Sequence, residues 1–358
     1  MVYNSTTETS ERIGQIFVQQ GKKNTPVKSL GPGEIGAVAK LKDTHTGNTL
    51  SDEAQKIVLE KVQFAEPMIS YAIEAKNKGD EEKISTGLHK ILEEDPTLRF
   101  SRDEEAKEML IAGMGQVHLE VTLEKLKRKY GAEVLMKAPK IPYRETIRAK
   151  AEAQGRYKKQ SGGKGQFGDC WIKIEPLPRG SGYEFVDNIV GGSIPRNYIP
   201  AVDKGVQEAM SKGLYAGFHV VDIRVSVFDG SYHAVDSSEM AFKIAGSFAI
   251  KKAFMDAKPV ILEPVMKVDI TVPEEAMGTI IGDLNSRRGK VQGMDAQGNK
   301  QVIGAMVPMA EMLTYANQLQ SMTAGRGTYH MEFSHYDELP LHLAQKLVDE
   351  RKKDEEEK

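Results

Sequence analysis

A glycine-rich basic stretch, residues 156–168, has the composition best suited to contact phosphate. It reads Arg-Tyr-Lys-Lys-Gln-Ser-Gly-Gly-Lys-Gly-Gln-Phe-Gly and carries four basic residues, four glycines and no acidic residue. Glycine lets backbone amides come close to a phosphate, and lysine supplies positive charge. The predicted contacts are Lys159, Gln160, Ser161, Gly162, Gly163, Lys164 and Gly165. A solvated hairpin tip without a ligand accounts for this composition equally well.

A second loop, residues 229–236, joins a predicted strand to a predicted helix and reads Asp-Gly-Ser-Tyr-His-Ala-Val-Asp. Its candidate contact residues are Gly230, Ser231, Tyr232 and His233. A lone histidine in a tight turn more often orders the turn than acts in catalysis. No Ser/His/Asp spacing in the chain predicts a catalytic triad.

Two consecutive arginines, Arg287 and Arg288, stand at the end of a predicted helix. Cations in this position stabilise the helix dipole, which is a structural role. Contact with RNA is the equally weighted alternative.

The sequence predicts neither a nucleotide-binding loop nor a metal site. A P-loop requires Gly-x4-Gly-Lys followed by Ser or Thr, whereas the Gly-Lys pairs at 21, 163 and 289 are followed by Lys, Gly and Val. The Asn-Lys-Gly-Asp sequence at 77–80 matches a guanine-reading motif, and without a phosphate loop upstream it is interpreted as coincidence. The histidines are scattered, so we predict no metal-ligand set and no catalytic residue.

Composition places the chain among ordinary globular proteins. Its 358 residues are 40% hydrophobic and 28% charged, with a formal charge of -2, so nucleic-acid contacts must come from local basic patches. Cys170 is the single cysteine, which excludes an internal disulfide and a structural zinc site. No apolar run approaches the roughly 20 residues that span a bilayer, and no signal peptide is recognised. A cytoplasmic location is expected.

The beginning of the chain predicts only short strands. Residues 1–57 alternate apolar runs with Gly, Pro and Asn turns, and one strand is predicted over 35–41. Two or three strands do not make a stable domain alone, so this region is expected to be incomplete.

Two segments, 64–140 and 264–335, share a predicted β-α-β-β-α-β order. Alternating apolar residues mark their strands, and a 3.6-residue period marks their helices. In the second segment the last helix is predicted over 309–320. Both segments fit the ferredoxin-like split βαβ arrangement, in which one face of the sheet stays open to a partner.

The segment between these two, 141–262, follows a different pattern. A strand around Val221–Val227 precedes a long helix predicted over 238–255. Asp236 and Glu239 stand three residues apart at the start of this helix, in the manner of a capping box. Residues 341–358, rich in Lys and Glu, are expected to form a short helix without chemistry. The predicted fold class is therefore α+β and multidomain.

Four motifs of this sequence carry a family resemblance. They are GGSIPRNYIPAV from Gly191, DGSYHAVDSSEMAF from Asp229, IGDLNSRRG from Ile281 and GMGQVHLE from Gly113. All four are similar to stretches of bacterial translation elongation factor G. The resemblance extends from about residue 2 to 340, and several long matches in the same order make it specific.

The resemblance implies a layout of domains. The expected parts are a partial β-barrel at 1–60 (the second half of domain II), a ferredoxin-like domain III at 64–140, a ribosomal protein S5-like domain IV at 141–262, a ferredoxin-like domain V at 264–340 and a charged tail at 341–358. The two ferredoxin-like split βαβ domains thus flank the S5-like domain.

The resemblance also implies a function. Domain IV of the family mimics the tRNA anticodon arm, and its tip enters the decoding centre behind the moving tRNA–mRNA duplex. The tip loops correspond to 160–165 and 230–233, with Lys159 and Lys164 at phosphates and His233 donating to a 2′-hydroxyl or phosphate. Ser161 stands where many members carry Thr. The implied partners are the ribosome, ribosomal RNA and the tRNA–mRNA duplex, with no DNA and no membrane.

The family's GTPase domain and the first half of its barrel have no counterpart in this sequence. The chain alone is therefore expected not to be an enzyme and to hold no cofactor. GTP and Mg²⁺ are implied only for a GTPase domain acting in cis or in trans.

Two alternatives remain. Ribosome-recycling and ribosome-protection paralogues share this architecture; the tip loops favour translocation over protection but do not separate it from recycling. A nucleotide-using enzyme, with the loop 162–168 around a phosphate, is a function of another class. It is disfavoured because no Gly-Lys pair is followed by Ser or Thr.

Overall fold

The computed structural model describes residues 1–103, 106–160 and 165–356, and the chain divides into two compact units, Met1–Pro139 and Lys140–Lys358. Four of the predicted contact residues lie outside the described residues: Ser161, Gly162, Gly163 and Lys164. Among the described helices, none combines the length and the apolar composition needed to cross a membrane.

The first unit contains small antiparallel sheets and two helices. Its elements, in chain order, are β1 (Val2–Asn4), β2 (Thr9–Glu11), β3 (Ile16–Gln20), β4 (Lys23–Val27), β5 (Leu50–Ser51), β6 (Ile69–Ala75), α1 (Glu81–Glu94), β7 (Arg99–Asp103), β8 (Glu108–Gly113), α2 (Gln116–Tyr130) and β9 (Val134–Lys137).

Residues 1–60, all of which are described, form an open sheet in the order β2-β1-β5 and a separate β3-β4 hairpin. They do not close into a barrel. The strand predicted over 35–41 is wrong, because only Ala37 pairs, in a single bridge to Phe17. Ile35 is 90% exposed and no residue of 35–41 is buried, so the segment does not bury an apolar face in a sheet.

A four-stranded antiparallel sheet forms the rest of the first unit, in the order β7-β8-β6-β9. The predicted β-α-β-β-α-β order of elements is observed. Helices α1 and α2 bury apolar residues at helical spacing, Ile84, Leu88 and Ile91 in the first and Leu119 and Leu126 in the second. Helix α2 ends at a left-handed glycine, as the sequence indicates.

The second unit is larger. Its elements are β10 (Arg144–Ile147), β11 (Ala151–Lys159), β12 (Gln166–Pro176), β13 (Tyr183–Asp187), α3 (Ile199–Ser211), β14 (His219–Val220), β15 (Ile223–Ser231), α4 (Glu239–Asp256), β16 (Pro259–Pro273), α5 (Met277–Ser286), β17 (Lys290–Gln297), β18 (Lys300–Pro308), α6 (Met309–Met312), α7 (Tyr315–Met322), β19 (Thr328–Glu338) and α8 (Leu341–Glu356).

Two sheets organise this unit. One has the order β11-β12-β15-β13, and the other has the order β14-β10-β16-β18-β17, with β19 also paired to β16. Strand β16 is continuous from residue 259 to 273 and pairs with β10 at its beginning and with β18 and β19 further on. The second sheet therefore combines β10 and β14, which precede β16 in the chain, with β17, β18 and β19, which follow it.

Helices α3 and α4 pack on the first sheet and enclose a core of Ile, Val, Ala and Phe side chains. Helix α4 begins and ends within a residue of its prediction. The single helix predicted over 309–320 is wrong, because α6 and α7 are separate short helices. Thr314, the cap before α7, has a non-helical backbone that interrupts the run. The predicted C-terminal helix is present as α8, and its Ala344 and Val348 are buried.

Candidate nucleic-acid interface

The predicted basic stretch lies at the end of a long β-hairpin. Strands β11 and β12 pair without a break from Ala151–Ile174 to Lys159–Gln166. Continuous antiparallel pairing makes the hairpin a stiff support for its turn. Lys159 and Gln160 are exposed at this turn, whereas Gly165 is buried.

The predicted start of the second loop, 229–236, is wrong, because Asp229, Gly230 and Ser231 are the last residues of β15 and pair with β12 in the same sheet; only residues 232–236 follow the strand. Ser231 pairs with Asp169 of β12 in the ladder, and Ser231 Oγ donates to Asp169 Oδ2 at 2.7 Å. Gln154 Nε2 of β11 donates to the other carboxylate oxygen of Asp169 at 2.8 Å. One buried carboxylate therefore links the three strands that carry the tip.

Asp236 joins the two loops. The Gly165 N–H donates to Asp236 Oδ1 at 3.0 Å, and the Phe167 N–H donates to the Asp236 carbonyl at 2.8 Å. The prediction that Asp236 and Glu239 form a capping box is wrong. Ser238 caps α4 instead, because its side chain accepts from the Ala241 N–H.

His233 orders its own loop and remains exposed. Its N–H donates to Ser237 Oγ at 2.9 Å, and its carbonyl accepts from the Ser237 N–H at 3.0 Å. Its Nδ1 lies 3.3 Å from the Asp236 amide nitrogen and 3.4 Å from Asp236 Oδ2. The Asp236 N–H donates to Nδ1 in the tautomer that carries its hydrogen on Nε2. The imidazole is 58% exposed, so it can also reach a ligand.

The aromatic residues beside the hairpin turn pack within the domain. Tyr157 donates its hydroxyl to Gln166 Oε1 at 2.9 Å, and its ring meets Phe248 edge-on. The Arg156 guanidinium lies 5.6 Å from the centre of the Phe167 ring. Of the tip aromatics, Tyr232 is half exposed and is available to stack on a base.

Two of the glycines in the basic stretch are explained by close packing. A Cβ at Gly168 would lie 2.5 Å from the Ala241 carbonyl carbon, and a Cβ at Gly165 would lie 2.9 Å from the Asp236 carboxylate carbon. These two glycines therefore allow close packing within the domain, a structural role that the sequence analysis did not predict. The partners are distant in sequence, so composition alone could not reveal them.

The arginines of the predicted RNA contact are engaged within the chain. Arg287 is buried, with its Nε 2.7 Å from Asp283 Oδ2 and its guanidinium over the Tyr315 ring. Arg288 forms ion pairs with Glu263 and Glu311, which raise the pKa of its guanidinium despite partial burial. These contacts favour the structural alternative, and we therefore leave both arginines out of the interface.

The Asn-Lys-Gly-Asp sequence at 77–80 has a structural explanation. Asp80 precedes α1, and hydrogen bonds from Lys83 and Asn77 hold the pKa of its carboxyl below its usual range. Across the described residues, no group of three His, Cys, Asp or Glu side chains is arranged to hold a metal ion.

Cys170 provides a check on the burial of this sheet. Desolvation raises the pKa of its thiol to about 12, and the neighbouring Asp169 carboxylate acts in the same direction. Folding raises the pKa of this thiol, so its contribution to the free energy of unfolding is fully present below pH 9. That contribution is lost as the pH rises towards 12.

We expect iodoacetamide to modify Cys170 at pH 9 at least about 100-fold more slowly in the native protein than in urea. About half of the thiol is ionised in the unfolded chain at this pH, against roughly 0.1% in the folded chain. Mass spectrometry of the quenched reaction gives both rates. Equal rates would contradict the buried position of this side chain.

Comparison with known domain families matches most of the chain. Residues 64–138 match the model of elongation factor G domain III, residues 139–258 match domain IV, and residues 260–347 match the elongation factor G C-terminus. The loops joined by Asp236 both lie within the domain IV match.

A solved structure, ttk003000868 from Thermus thermophilus, superimposes with a TM-score of 0.79 at 42% sequence identity. The match covers 95% of this chain and 51% of that one, so this chain spans about half the length of its structural relative. Fold and domain content together define a multidomain α+β protein of the translation-factor class. More specifically, the chain belongs to the elongation factor G family.

Proposed function

We propose that this chain is the ribosome-binding module of a translation elongation factor that moves tRNA and mRNA through the ribosome. The joined tip of domain IV enters the decoding centre and contacts the tRNA–mRNA duplex and ribosomal RNA. One observation supports this proposal above the others. Asp236 binds the two predicted loops into a single tip that presents Lys159, Gln160 and His233 to solvent.

The chemistry of the tip suits a sequence-neutral contact. An A-form duplex shows 2′-hydroxyls and phosphates along a wide, shallow minor groove. Lys159 supplies charge for a phosphate, and the His233 Nε2–H can donate to a 2′-hydroxyl. Every codon must be served, and contacts to sugar and phosphate meet that requirement because they carry no base information.

The energy for translocation comes from GTP hydrolysed by a GTPase domain in cis or in trans, to which GTP and Mg²⁺ belong. The family is one of translational GTPases, and the domains matched here are its domains III, IV and C-terminus. The protein acts in the cytoplasm, where ribosomes translate. The recycling paralogues remain the alternative within the family.

The rival nucleotide-binding function is weakened by the hydrogen bond that the Gly165 N–H makes. A phosphate cradle needs backbone N–H groups that point to the ligand. The Gly165 N–H instead donates to the Asp236 carboxylate, which would also repel a phosphate.

Strand pairing supports the finer assignment of the domains. In 64–140, the first strand β6 lies between β8 and β9, and in 264–340 the first strand β16 lies between β18 and β19. Both arrangements agree with two ferredoxin-like split βαβ domains, III and V. The intervening sheet with α3 and α4 is assigned to an S5-like domain IV.

Co-sedimentation with ribosomes tests the proposal. The double variant Lys159→Gln/His233→Ala removes two contacts from the tip, and we expect roughly 30-fold weaker binding at low salt, from about 1 kcal/mol per contact. The control Lys204→Gln/His342→Ala makes the same chemical changes at exposed helical positions and should bind normally. If the wild-type chain does not sediment with ribosomes, the proposed function is wrong. Equal binding by both variants would reject the tip as the contact.

A further inference from the structure

A groove of about 720 Å³ lies along α4, outside the two tip loops. One face of α4 lines it through Met240, Ile244, Ser247, Lys251 and Met255. The first and the last of these residues are 15 positions apart, or about 22 Å along the helix. The end of α3, the segment 212–217 and Arg351 of α8 complete the lining.

Positive charge is concentrated in this groove. Lys212, Lys243, Lys251 and Arg351 line it, and Glu208 is the one acidic residue among the lining residues that the structure describes. Lys243 is paired with Glu208 at 2.5 Å. Lys212 and Lys251 are exposed, and neither forms an ion pair with a described residue. Because the whole chain has a formal charge of -2, this excess of cations is local and favours an anionic ligand here.

The wall of the groove is held in place. The segment 212–217 is fixed by Glu145, whose carboxylate accepts hydrogen bonds from the amides of Leu214, Tyr215 and Ala216. Gly217 lies against the Arg351 guanidinium, where a Cβ would come within 3.0 Å of Nε. The absence of a side chain at Gly217 lets the arginine lie over this segment.

The groove is continuous with the tip in the chain. Met240 is the second residue of α4, and Ser238, which caps α4, lies two residues after Asp236 of the loop that contains His233. An RNA strand that reaches the tip can therefore extend along α4. The methionine and isoleucine side chains of the lining offer apolar contact to ribose faces between phosphates.

We infer that this groove is a second RNA-binding site, which takes the sugar–phosphate backbone of ribosomal RNA beside the strand contacted by the tip. The inference rests on the proposed ribosomal function. Positive lining with a single acid favours phosphate. An acidic amphipathic helix of a protein is the competing occupant, because the lining also contains Met240, Ile244 and Met255.

The salt dependence of ribosome binding tests this site. We expect the double variant Lys212→Gln/Lys251→Gln to reduce the slope of log K against log salt by roughly 0.7–0.9 for each lost phosphate contact. The matched control Lys204→Gln/Lys252→Gln changes two exposed lysines, one on α3 and one on α4, that do not line the groove. Its slope should equal that of the wild-type chain.

A protein-free RNA duplex of 20 base pairs separates the possible occupants. The groove variant should also bind this probe several-fold more weakly than the control, measured by fluorescence anisotropy. Weaker ribosome binding with unchanged duplex binding would overturn the RNA assignment in favour of an acidic protein. Equal salt slopes for the groove and control variants would show that the groove is not an RNA-binding site and would leave the proposed function standing. A wild-type chain that does not bind ribosomes would show that the proposed function itself is wrong.

Discussion

Replacing Gly155 with alanine is expected to destabilise the second unit by about 3 kcal/mol, the upper end of the usual cost of overpacking. Gly155 lies in β11, where it faces α4. A Cβ at this position would lie 2.5 Å from the Ala249 amide nitrogen and 2.8 Å from the Ala249 Cβ, and it would also overlap the Ala245 carbonyl. These neighbours are mainly helix backbone, so no side-chain rotation relieves the clash. The helix must move away from the sheet.

Urea unfolding monitored by Trp171 fluorescence measures this loss. Trp171 is the single tryptophan and lies in β12, next to β11, so its signal reports on the affected sheet. The control is Gly293→Ala in β17, where an added Cβ meets nothing within 4 Å. Alanine is favoured over glycine in a strand, so this variant should be unchanged or stabilised by about 0.5 kcal/mol. A Gly155→Ala protein as stable as the Gly293→Ala protein would contradict the close packing of α4 on β11.

The sequence predicted those elements whose signal is local. Apolar alternation located β6, and the i, i+3, i+4, i+7 pattern located α5, because a side chain's face follows directly from the geometry of strand or helix. The bounds of α4 were also predicted within one residue, although the cap is Ser238 and not the capping box expected from Asp236 and Glu239. The apolar side chains of residues 35–41 have no apolar surface to pack against. The strand predicted there from the same kind of pattern does not form.

The contacts of the site depended on residues far apart in the chain. Asp236 looked like a helix cap, but its carboxylate accepts from Gly165, 71 positions earlier. Arg288 looked available to RNA, but Glu263 and Glu311 are 25 and 23 positions away and bind it. A sequence pattern identifies residues whose chemistry allows a hydrogen bond or an ion pair. Which partner such a residue contacts depends on the groups that the fold brings close to it. Residues 232–236 of the second predicted loop do follow β15, residues 161–164 of the first lie outside the described residues, and the contact of Asp236 with Gly165 was not predicted.

The buried carboxylate of Glu145 carries the second large prediction. Its Oε2 accepts from the amides of Leu214 and Tyr215 at 2.7 and 2.8 Å, and its Oε1 accepts from those of Ala216 and Phe218 at 2.6 and 2.9 Å. The side chain is fully buried. Glu145→Ala would leave four N–H groups without their acceptor in a place that water reaches poorly. We expect a loss of about 4 kcal/mol in the unfolding free energy of the second unit, since each buried unsatisfied group costs roughly 1–3 kcal/mol and the segment can partly relax.

Hydrogen exchange gives a test specific to this contact. In Glu145→Ala the amides of residues 214, 215, 216 and 218 should lose most of their protection, while those of the β11–β12 ladder lose only what the lower global stability requires. Glu145→Gln keeps one acceptor oxygen, so it should retain about half of the stabilisation. The control Glu152→Ala removes an exposed carboxylate from β11 and should leave both stability and exchange unchanged. Retained protection at all four amides in Glu145→Ala would show that this carboxylate does not fix the segment. If the contact holds the groove wall, Glu145→Ala should also weaken ribosome binding, because the segment that follows Lys212 would lose the acceptor that fixes it.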